Sequence, residues 1–179
     1  MKKAVFLDRD GVINRAYISN NIPVPPKTIE ELEILPGVID AIKLLNARDF
    51  ELIVVTNQPD VARGITTKES IELIHGTLEM ELGINQFYTC YHEDSQRCSC
   101  RKPKPGLILK AASDLNLDLS SSFMVGDRWR DIAAGQSAEC ECFFINYGYK
   151  EQQPSQPFRE VNSLYHAALQ IIEEIENAK

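Results

Sequence analysis

The sequence predicts an α/β protein with a doubly wound, mainly parallel sheet. Three observations favour this fold class. Short apolar runs, typical of buried strands, alternate along the chain with longer segments of helical period. Several of the apolar runs end in polar side chains, as strands do where a parallel sheet carries its functional site. The length of 179 residues suits a single domain, spanning 1–179, with one sizeable core.

Five strands and five helices follow from these patterns. Apolar runs predict strands at 3–7, 51–56, 86–91, 122–125 and 142–146. Apolar positions at helical spacing predict helices at 38–48, 67–82, 105–115, 131–138 and 163–178. The proline-rich segment 18–33 fits neither period. It is therefore predicted to be a long loop or flap over the edge of the sheet, where it would shape a pocket.

Composition excludes some classes of function. The net charge of -7 argues against a nonspecific grip on nucleic acid, because phosphate backbones attract basic surfaces. A small anionic substrate needs only a few local positive groups. The N-terminal apolar stretch has four residues, too few for a signal-peptide core or a membrane span, so we expect no membrane association and a cytoplasmic location.

Two carboxylates follow the first predicted strand. Asp8 and Asp10 are two positions apart and precede Gly11. Such a pair suits two tasks, since one carboxylate attacks as a nucleophile or holds a metal while the other transfers protons. Alone, this pattern is explained equally well by a turn or a helix cap.

The ends of the other strands favour the functional interpretation. The second strand ends in Thr56, Asn57 and Gln58, and the fourth ends in Asp127, with Asp131 four residues later. In a parallel sheet these ends meet at one crevice. Several acids at close range repel one another unless a hard cation lies among them, and their oxygen atoms suit Mg²⁺.

Positive charge enters just before the third predicted helix. Arg101, Lys102 and Lys104 lie in the segment RKPKPG, which runs into that helix. Cations and backbone amides beside an acidic metal cluster describe a site for phosphoryl groups. A solvated basic turn is the simpler alternative for this segment.

A second cluster of ligands has metal-binding spacing. Cys90, His92, Cys98 and Cys100 place three thiols and one imidazole within eleven residues. This pattern fits a structural Cys3His zinc site better than a disulfide framework. His75, in a helical segment, is interpreted as a packing residue.

Four segments together resemble a known family. DRDGV at 8–12, TNQ at 56–58 with ARG at 62–64, CRKPKPG at 100–106 and VGDRWRD at 125–131 are similar to the four motifs of the haloacid dehalogenase superfamily of phosphatases. Within it they resemble the group of histidinol phosphatases and heptose-bisphosphate phosphatases. The resemblance covers almost the whole chain, and that group also carries a zinc loop before the RKP motif.

The resemblance implies a mechanism and a set of site residues. Asp8 would be the nucleophile that forms an aspartyl-phosphate, and Asp10 the acid that protonates the leaving group and then activates water. Asp8, the backbone carbonyl of Asp10, and Asp127 would hold Mg²⁺. The residues implied to bind phosphate or the rest of the substrate are Thr56, Asn57, Gln58, Arg101, Lys102 and Arg128. Lys104 remains an alternative to Lys102 for the phosphoryl group.

Three classes of function stay open on the sequence. The first is a monomeric phosphatase of a small phosphorylated metabolite, a heptose bisphosphate in the first place and histidinol phosphate as the alternative. The second is a polynucleotide 3′-phosphatase, against which the acidic charge and small size argue. The third is a noncatalytic, zinc-stabilised binding module, which leaves the acid, threonine and lysine set unexplained.

Overall fold

The computed structural model describes residues 1–19 and 22–177. In chain order its elements are β1 (Ala4–Leu7), β2 (Tyr17–Ser19), β3 (Ile22–Val24), α1 (Val38–Asn46), β4 (Glu51–Asn57), α2 (Lys68–Leu82), β5 (Gln86–Cys90), α3 (Gly106–Leu115), β6 (Phe123–Gly126), α4 (Trp129–Ser137), β7 (Glu141–Ile145), β8 (Arg159–Val161) and α5 (Leu164–Asn177). A six-stranded sheet has the order β5-β4-β1-β6-β7-β8, and all its neighbouring strands are parallel. The predicted fold class is confirmed.

The three central strands end at the same edge of the sheet. Leu7 of β1 pairs with Val54 of β4 on one side and with Val125 of β6 on the other. All four residues of β1 are buried, as expected for a strand covered on both faces. Polar residues that follow these strands therefore emerge side by side.

Helices cover both faces of the sheet. Val5 and Leu7 point into a core shared with α1, α2 and α5, whereas Ala4 and Phe6 point into a second core shared with α3 and α4. This alternation follows the two-residue period of a strand. The result is a three-layer α/β/α arrangement with the sheet in the middle.

The prediction of a loop over 18–33 is wrong in part. β2 and β3 form a two-stranded antiparallel hairpin, in which Ile18 pairs with Pro23. Each strand of such a hairpin has a free edge, so a proline is tolerated in it. Residues 20 and 21 of that prediction lie outside the described residues, as does residue 178 of the predicted last helix.

The short edge strand β8 was not predicted, because three residues carry no usable period. Of the helices within 1–19 and 22–177, none has the length and apolar character needed to cross a membrane.

Candidate active site

A cavity of about 330 Å³ opens at the carboxyl ends of the central strands. Six of the predicted site residues line it: Asp8, Asp10, Asn57, Arg101, Lys102 and Arg128. The hairpin contributes Ile22, Pro23 and Val24 to the opposite wall, so this segment shapes the pocket as expected of the flap. Thr56, Gln58 and Asp127 are buried beside the cavity and do not line it.

Lys102 lies at the bottom of the cavity and joins two carboxylates. Its Nζ is 2.7 Å from Oδ1 of Asp8 and 2.6 Å from Oδ1 of Asp131. The third ammonium proton is donated to the carbonyl oxygen of Val55, at 2.7 Å. Burial lowers the pKa of Lys102, but the charges of Asp131 and Asp8 outweigh burial, and the net pKa is raised. Lys102 is therefore a permanent positive charge beside the predicted nucleophile.

Three buried carboxylates surround this lysine. Asp8, Asp127 and Asp131 each offer an oxygen atom, and these atoms lie within 4.8 Å of one another. Burial, then the negative charge of Asp131, raises the pKa of Asp8 to about 7, although Lys102 opposes the rise. The pKa of Asp127 is also raised, first by burial and then by Asp8 and Asp131. The cluster carries more negative charge than one lysine balances.

One atom of this cluster indicates where a cation fits. Oδ1 of Asp127 is buried and has no hydrogen-bond partner among the described residues, whereas Oδ2 accepts a hydrogen bond from the hydroxyl of Tyr149 at 2.9 Å. A buried, unpartnered carboxylate oxygen is costly unless a cation binds it. Hard carboxylate oxygens are the donors that Mg²⁺ prefers. The residues present therefore fit the magnesium that the sequence predicts.

Gly11 is needed where the chain passes this cluster. Its φ is +93°, and a Cβ atom there would lie 2.0 Å from Oδ2 of Asp127. Only glycine satisfies both the backbone conformation and the close approach. The glycine after the two aspartates thus makes room for the third carboxylate.

Asp10 is held by donors on every side. Arg9 donates to both of its carboxylate oxygens, Asn14 donates to Oδ1 at 2.9 Å, and Gln58 donates to Oδ2 at 2.8 Å. The same amide group of Gln58 also donates to the hydroxyl of Thr56, at 2.9 Å. Gln58 therefore contacts Asp10 from a buried position beside the cavity.

Asn57 fixes the loop that carries Lys102. Its side-chain amide donates to the carbonyl oxygen of Lys102, and its side-chain oxygen accepts from the backbone N–H of the same residue, both at 3.1 Å. Lys104 lies away from the cluster, because its Nζ donates to the carbonyl oxygen of Cys98 at 2.6 Å. Of the two lysines, Lys102 is the one in contact with Asp8.

Arginines form the outer part of the cavity. Arg101 and Arg130 approach the same atom, Oδ1 of Asp94, at 2.7 and 3.4 Å. Arg128 is paired with Glu151, which lies in the segment between β7 and β8. Each of these guanidinium groups has five N–H donors, so a carboxylate partner leaves donors free for a second anion.

The four predicted zinc ligands lie together beside this arginine group. Sγ of Cys90 is 3.7 Å from Sγ of Cys98 and 3.3 Å from Sγ of Cys100, while Nδ1 of His92 is 3.5 Å from Sγ of Cys90 and 3.3 Å from Sγ of Cys100. Sulfur ligands of a tetrahedral zinc ion are roughly 3.8 Å apart, given a Zn–S length of about 2.3 Å. The donor atoms therefore fit zinc. Arg101 follows the last ligand directly and donates to the carbonyl oxygen of His92 at 3.2 Å.

Two side chains of the site, Arg9 and Asp94, were missed from the sequence, whereas Asp131 was placed among the strand-end acids without an assigned role. Asp131 accepts from the backbone N–H of Arg128 at 3.0 Å as well as pairing with Lys102, and its place in the first turn of α4, four residues after Asp127, was the available signal. Arg9 lies between Asp8 and Asp10 in the chain, and no pattern in the sequence marked it as a site residue. Asp94 lies in a short 3-10 turn, Asp94–Gln96, within the zinc loop.

A carboxylate nucleophile candidate beside a fixed lysine, next to carboxylates that fit Mg²⁺, at the strand ends of an α/β sheet, defines a hydrolase of the phosphatase class. Residues 21–139 match the family described as haloacid dehalogenase-like hydrolase.

Named relatives are similar over most of the chain. D-glycero-beta-D-manno-heptose-1,7-bisphosphate 7-phosphatase of Pasteurella multocida is 36% identical over 152 residues, which cover 78% of each chain. The enzyme of that name from Helicobacter pylori strain J99 is 38% identical over 145 residues, covering 76% of this chain and 79% of the relative. The chain belongs to the haloacid dehalogenase-like hydrolase family.

A solved structure agrees with this. The crystal structure of D,D-heptose 1,7-bisphosphate phosphatase from B. bronchiseptica, complexed with magnesium and phosphate, has a TM-score of 0.85 and 30% sequence identity. The match covers 96% of this chain and 99% of that chain.

Proposed function

We propose that this protein is a Mg²⁺-dependent phosphatase that removes the 7-phosphate of D-glycero-D-manno-heptose 1,7-bisphosphate. The observation that carries the chemistry is the contact of Lys102 with Asp8 and Asp131 next to the unpartnered Oδ1 of Asp127. This arrangement supports a buried carboxylate nucleophile with fixed positive charge beside it. The names of the relatives at 36–38% identity support the substrate.

In the first step, a carboxylate oxygen of Asp8 forms a bond to phosphorus while the bond from phosphorus to the ester oxygen breaks. Protonated Asp10 gives its proton to the departing alkoxide. In the second step, Asp10 takes a proton from water as that water attacks the aspartyl-phosphate, which restores Asp8 and releases phosphate. Splitting one displacement into two lowers the barrier of each.

Other residues prepare these steps. Asp8, Asp127 and the backbone carbonyl of Asp10 would hold Mg²⁺, which when bound offsets the repulsion between the attacking carboxylate and the phosphate. The positive charge of Lys102, which lies beside Asp8, would attract the phosphoryl oxygens. Asn57 lines the same cavity, while Thr56 and Gln58 lie buried beside it, where Gln58 donates to Asp10.

A bisphosphate needs a second cationic site for the phosphate that stays on the sugar. Three arginines line the same cavity as Asp8. They are Arg101, Arg128 and Arg130. Guanidinium groups bind phosphate with two parallel hydrogen bonds, which suits retention of a doubly charged group. We propose that these arginines hold the retained phosphate.

The proposal also covers the role of the zinc, the oligomeric state and the cellular location. Four protein ligands close the coordination sphere, so the zinc would be structural and would act by positioning Arg101 and Lys102. We further propose a single domain that acts as a monomer in the cytoplasm, a reducing compartment that suits free thiolate ligands.

A screen of phosphate release tests the function. The substrates are heptose 1,7-bisphosphate, histidinol phosphate and a 3′-phosphorylated oligonucleotide, each assayed with Mg²⁺. We expect the highest kcat/KM for the bisphosphate, with cleavage at the 7-phosphate. Equal or faster turnover of histidinol phosphate, or release from the oligonucleotide alone, would contradict the substrate assignment.

The retained-phosphate site has its own variant. Arg101→Ala should raise KM for heptose 1,7-bisphosphate by more than it raises KM for a small monophosphate, because it deletes a contact to the end that does not react. Arg97→Ala is the matched control, since Arg97 is exposed in the same loop and does not line the cavity. Equal effects of Arg101→Ala on both substrates would place Arg101 outside the substrate contact.

A further inference from the structure

Arg9 is a buried cation that the proposed reaction does not use. It lies between the two catalytic candidates in the chain, and its side chain is fully buried. Its Nε and Nη2 donate to Oδ1 of Asp10 at 3.1 and 3.0 Å, and Nη2 also donates to Oδ2 at 3.1 Å. Within the described parts of the chain, Arg9 thus supplies three of the five side-chain hydrogen bonds that reach Asp10, the others coming from Asn14 and Gln58.

His75 holds the other end of Arg9. Nη1 of Arg9 is 3.2 Å from Nε2 of His75, in the middle of α2. Because a guanidinium group only donates, Nε2 must be the acceptor, and the imidazole is neutral with its proton on Nδ1. Burial, and then the charge of Arg9, lowers the pKa of His75 to about 3, in agreement with this form. The ring of Phe87 stacks on the imidazole, with centroids 4.5 Å apart, and fixes its plane.

We propose that Arg9 and His75 are positioning residues that orient the carboxylate of Asp10 toward the cavity for proton transfer. The contacts form a continuous series, in which the stacked imidazole orients the guanidinium and the guanidinium orients the carboxylate. Asp10 in turn lines the cavity with its side chain 14% exposed. This inference rests on the proposed function, since it concerns the acid and base of that reaction.

Packing alone does not explain this pair. A buried guanidinium costs several kcal/mol of desolvation, which an apolar side chain of similar size avoids. Asp10 and the lone pair of His75 compensate this charge, so the buried guanidinium is tied to the position of the Asp10 carboxylate. A carboxylate that is free to rotate would lose the geometry that proton transfer requires.

Two substrates with different leaving groups can distinguish a positioning role of Arg9 and His75 from a merely structural one. An alkoxide needs a proton as it departs, so hydrolysis of heptose 1,7-bisphosphate depends on Asp10. The nitrophenolate of p-nitrophenyl phosphate departs without one. A badly oriented Asp10 should therefore slow formation of the aspartyl-phosphate from the first substrate and spare its formation from the second. The constant kcat/KM reports this step alone, because the attack of water, in which Asp10 also acts, follows departure of the leaving group and is common to both substrates.

The experiment compares His75→Leu, which cannot accept from Arg9, with His75→Gln, which offers an amide oxygen near the position of Nε2. We expect His75→Leu to lower kcat/KM for the bisphosphate about tenfold, and to change kcat/KM for p-nitrophenyl phosphate less than about twofold. His75→Gln should restore most of the lost turnover. Leu78→Ala, which truncates a buried apolar residue of the same helix, is the control for destabilisation and should leave the ratio of the two kcat/KM values unchanged.

Two results would overturn the inference. One is an unchanged ratio of the two kcat/KM values in His75→Leu while the wild type hydrolyses both substrates, which leaves the proposed function intact. The other is a ratio in Leu78→Ala that falls as far as in His75→Leu. A wild-type chain that releases phosphate from neither substrate overturns the proposed function itself, and the inference falls with it. Arg9→Met provides a second variant, for which the same selective loss is expected.

Discussion

Replacing Lys102 with methionine keeps the length of the side chain and removes its charge. The ammonium group contacts Asp8 and Asp131 at 2.7 and 2.6 Å, with the lysine side chain 3% exposed. Without it, the three buried carboxylates of the cluster face one another with no cation of the protein between them. Removing one partner of a buried ion pair costs about 3 to 5 kcal/mol, because the remaining charge is left uncompensated.

The consequence is measurable as a thermal shift. For a chain of this length, each kcal/mol lowers Tm by about 2 to 4 °C, so Lys102→Met should lower Tm by about 6 to 20 °C in the absence of divalent cations. Mg²⁺ should then raise Tm of the variant by more than it raises Tm of the wild type, since it binds a cluster with one more uncompensated charge. Differential scanning fluorimetry with and without Mg²⁺ gives both values.

Lys104→Met is the matched control, since Lys104 is exposed and its ammonium group donates, among the described residues, to backbone carbonyl oxygens of the zinc loop. Its effect should stay within about 0.5 kcal/mol, or a degree or two of Tm. An unchanged Tm for Lys102→Met, or an equal loss for Lys104→Met, would refute the electrostatic account of the cluster.

Three further outcomes are expected. Asp8→Asn should reduce turnover by about a thousandfold or more with folding retained, and phosphate release above about a tenth of the wild-type rate would exclude covalent catalysis by Asp8. The purified chain should carry about one zinc, and Cys98→Ser should lose most of it and melt at lower temperature, as checked by metal analysis and calorimetry. Stability should fall as pH drops from about 6.5 toward 3, because unfolded His75 binds a proton that the buried ring, whose pKa is lowered to about 3, excludes. By pH 5 the free energy of unfolding should have fallen by about 2 kcal/mol through His75. Urea unfolding should show this fall in the wild type and not in His75→Gln.

The sheet was predictable because its central strands are continuous apolar runs. Val5–Leu7, Ile53–Val55 and Met124–Val125 pair in register and are fully buried, so composition alone identifies them. The hairpin of β2 and β3 was not predictable in this way. Each of its strands has three residues, and the second strand contains a proline and lines the cavity. Tertiary contacts, which no local pattern reports, decide such segments.

The residues of the candidate site also differ in whether the sequence could identify them. Residues that leave strand ends were identified, since a parallel sheet brings those ends together whatever the loops do. Arg9 and His75 were not, because their importance lies in a contact between residues 66 positions apart. The partnership of Asp94 with Arg101 and Arg130 likewise depends on how the zinc loop folds back over the cavity.

The floor and the rim of the cavity are built from different kinds of structure. The floor consists of groups at the ends of buried strands, where almost any replacement disturbs the core as well. The rim includes β3 (Ile22–Val24) and the turn that carries Asp94. Surface loops accept insertion and exchange far more readily than buried strands do. Evolution can therefore adapt this scaffold to new phosphate esters by exchanging its loops, while the phosphoryl chemistry is inherited unchanged.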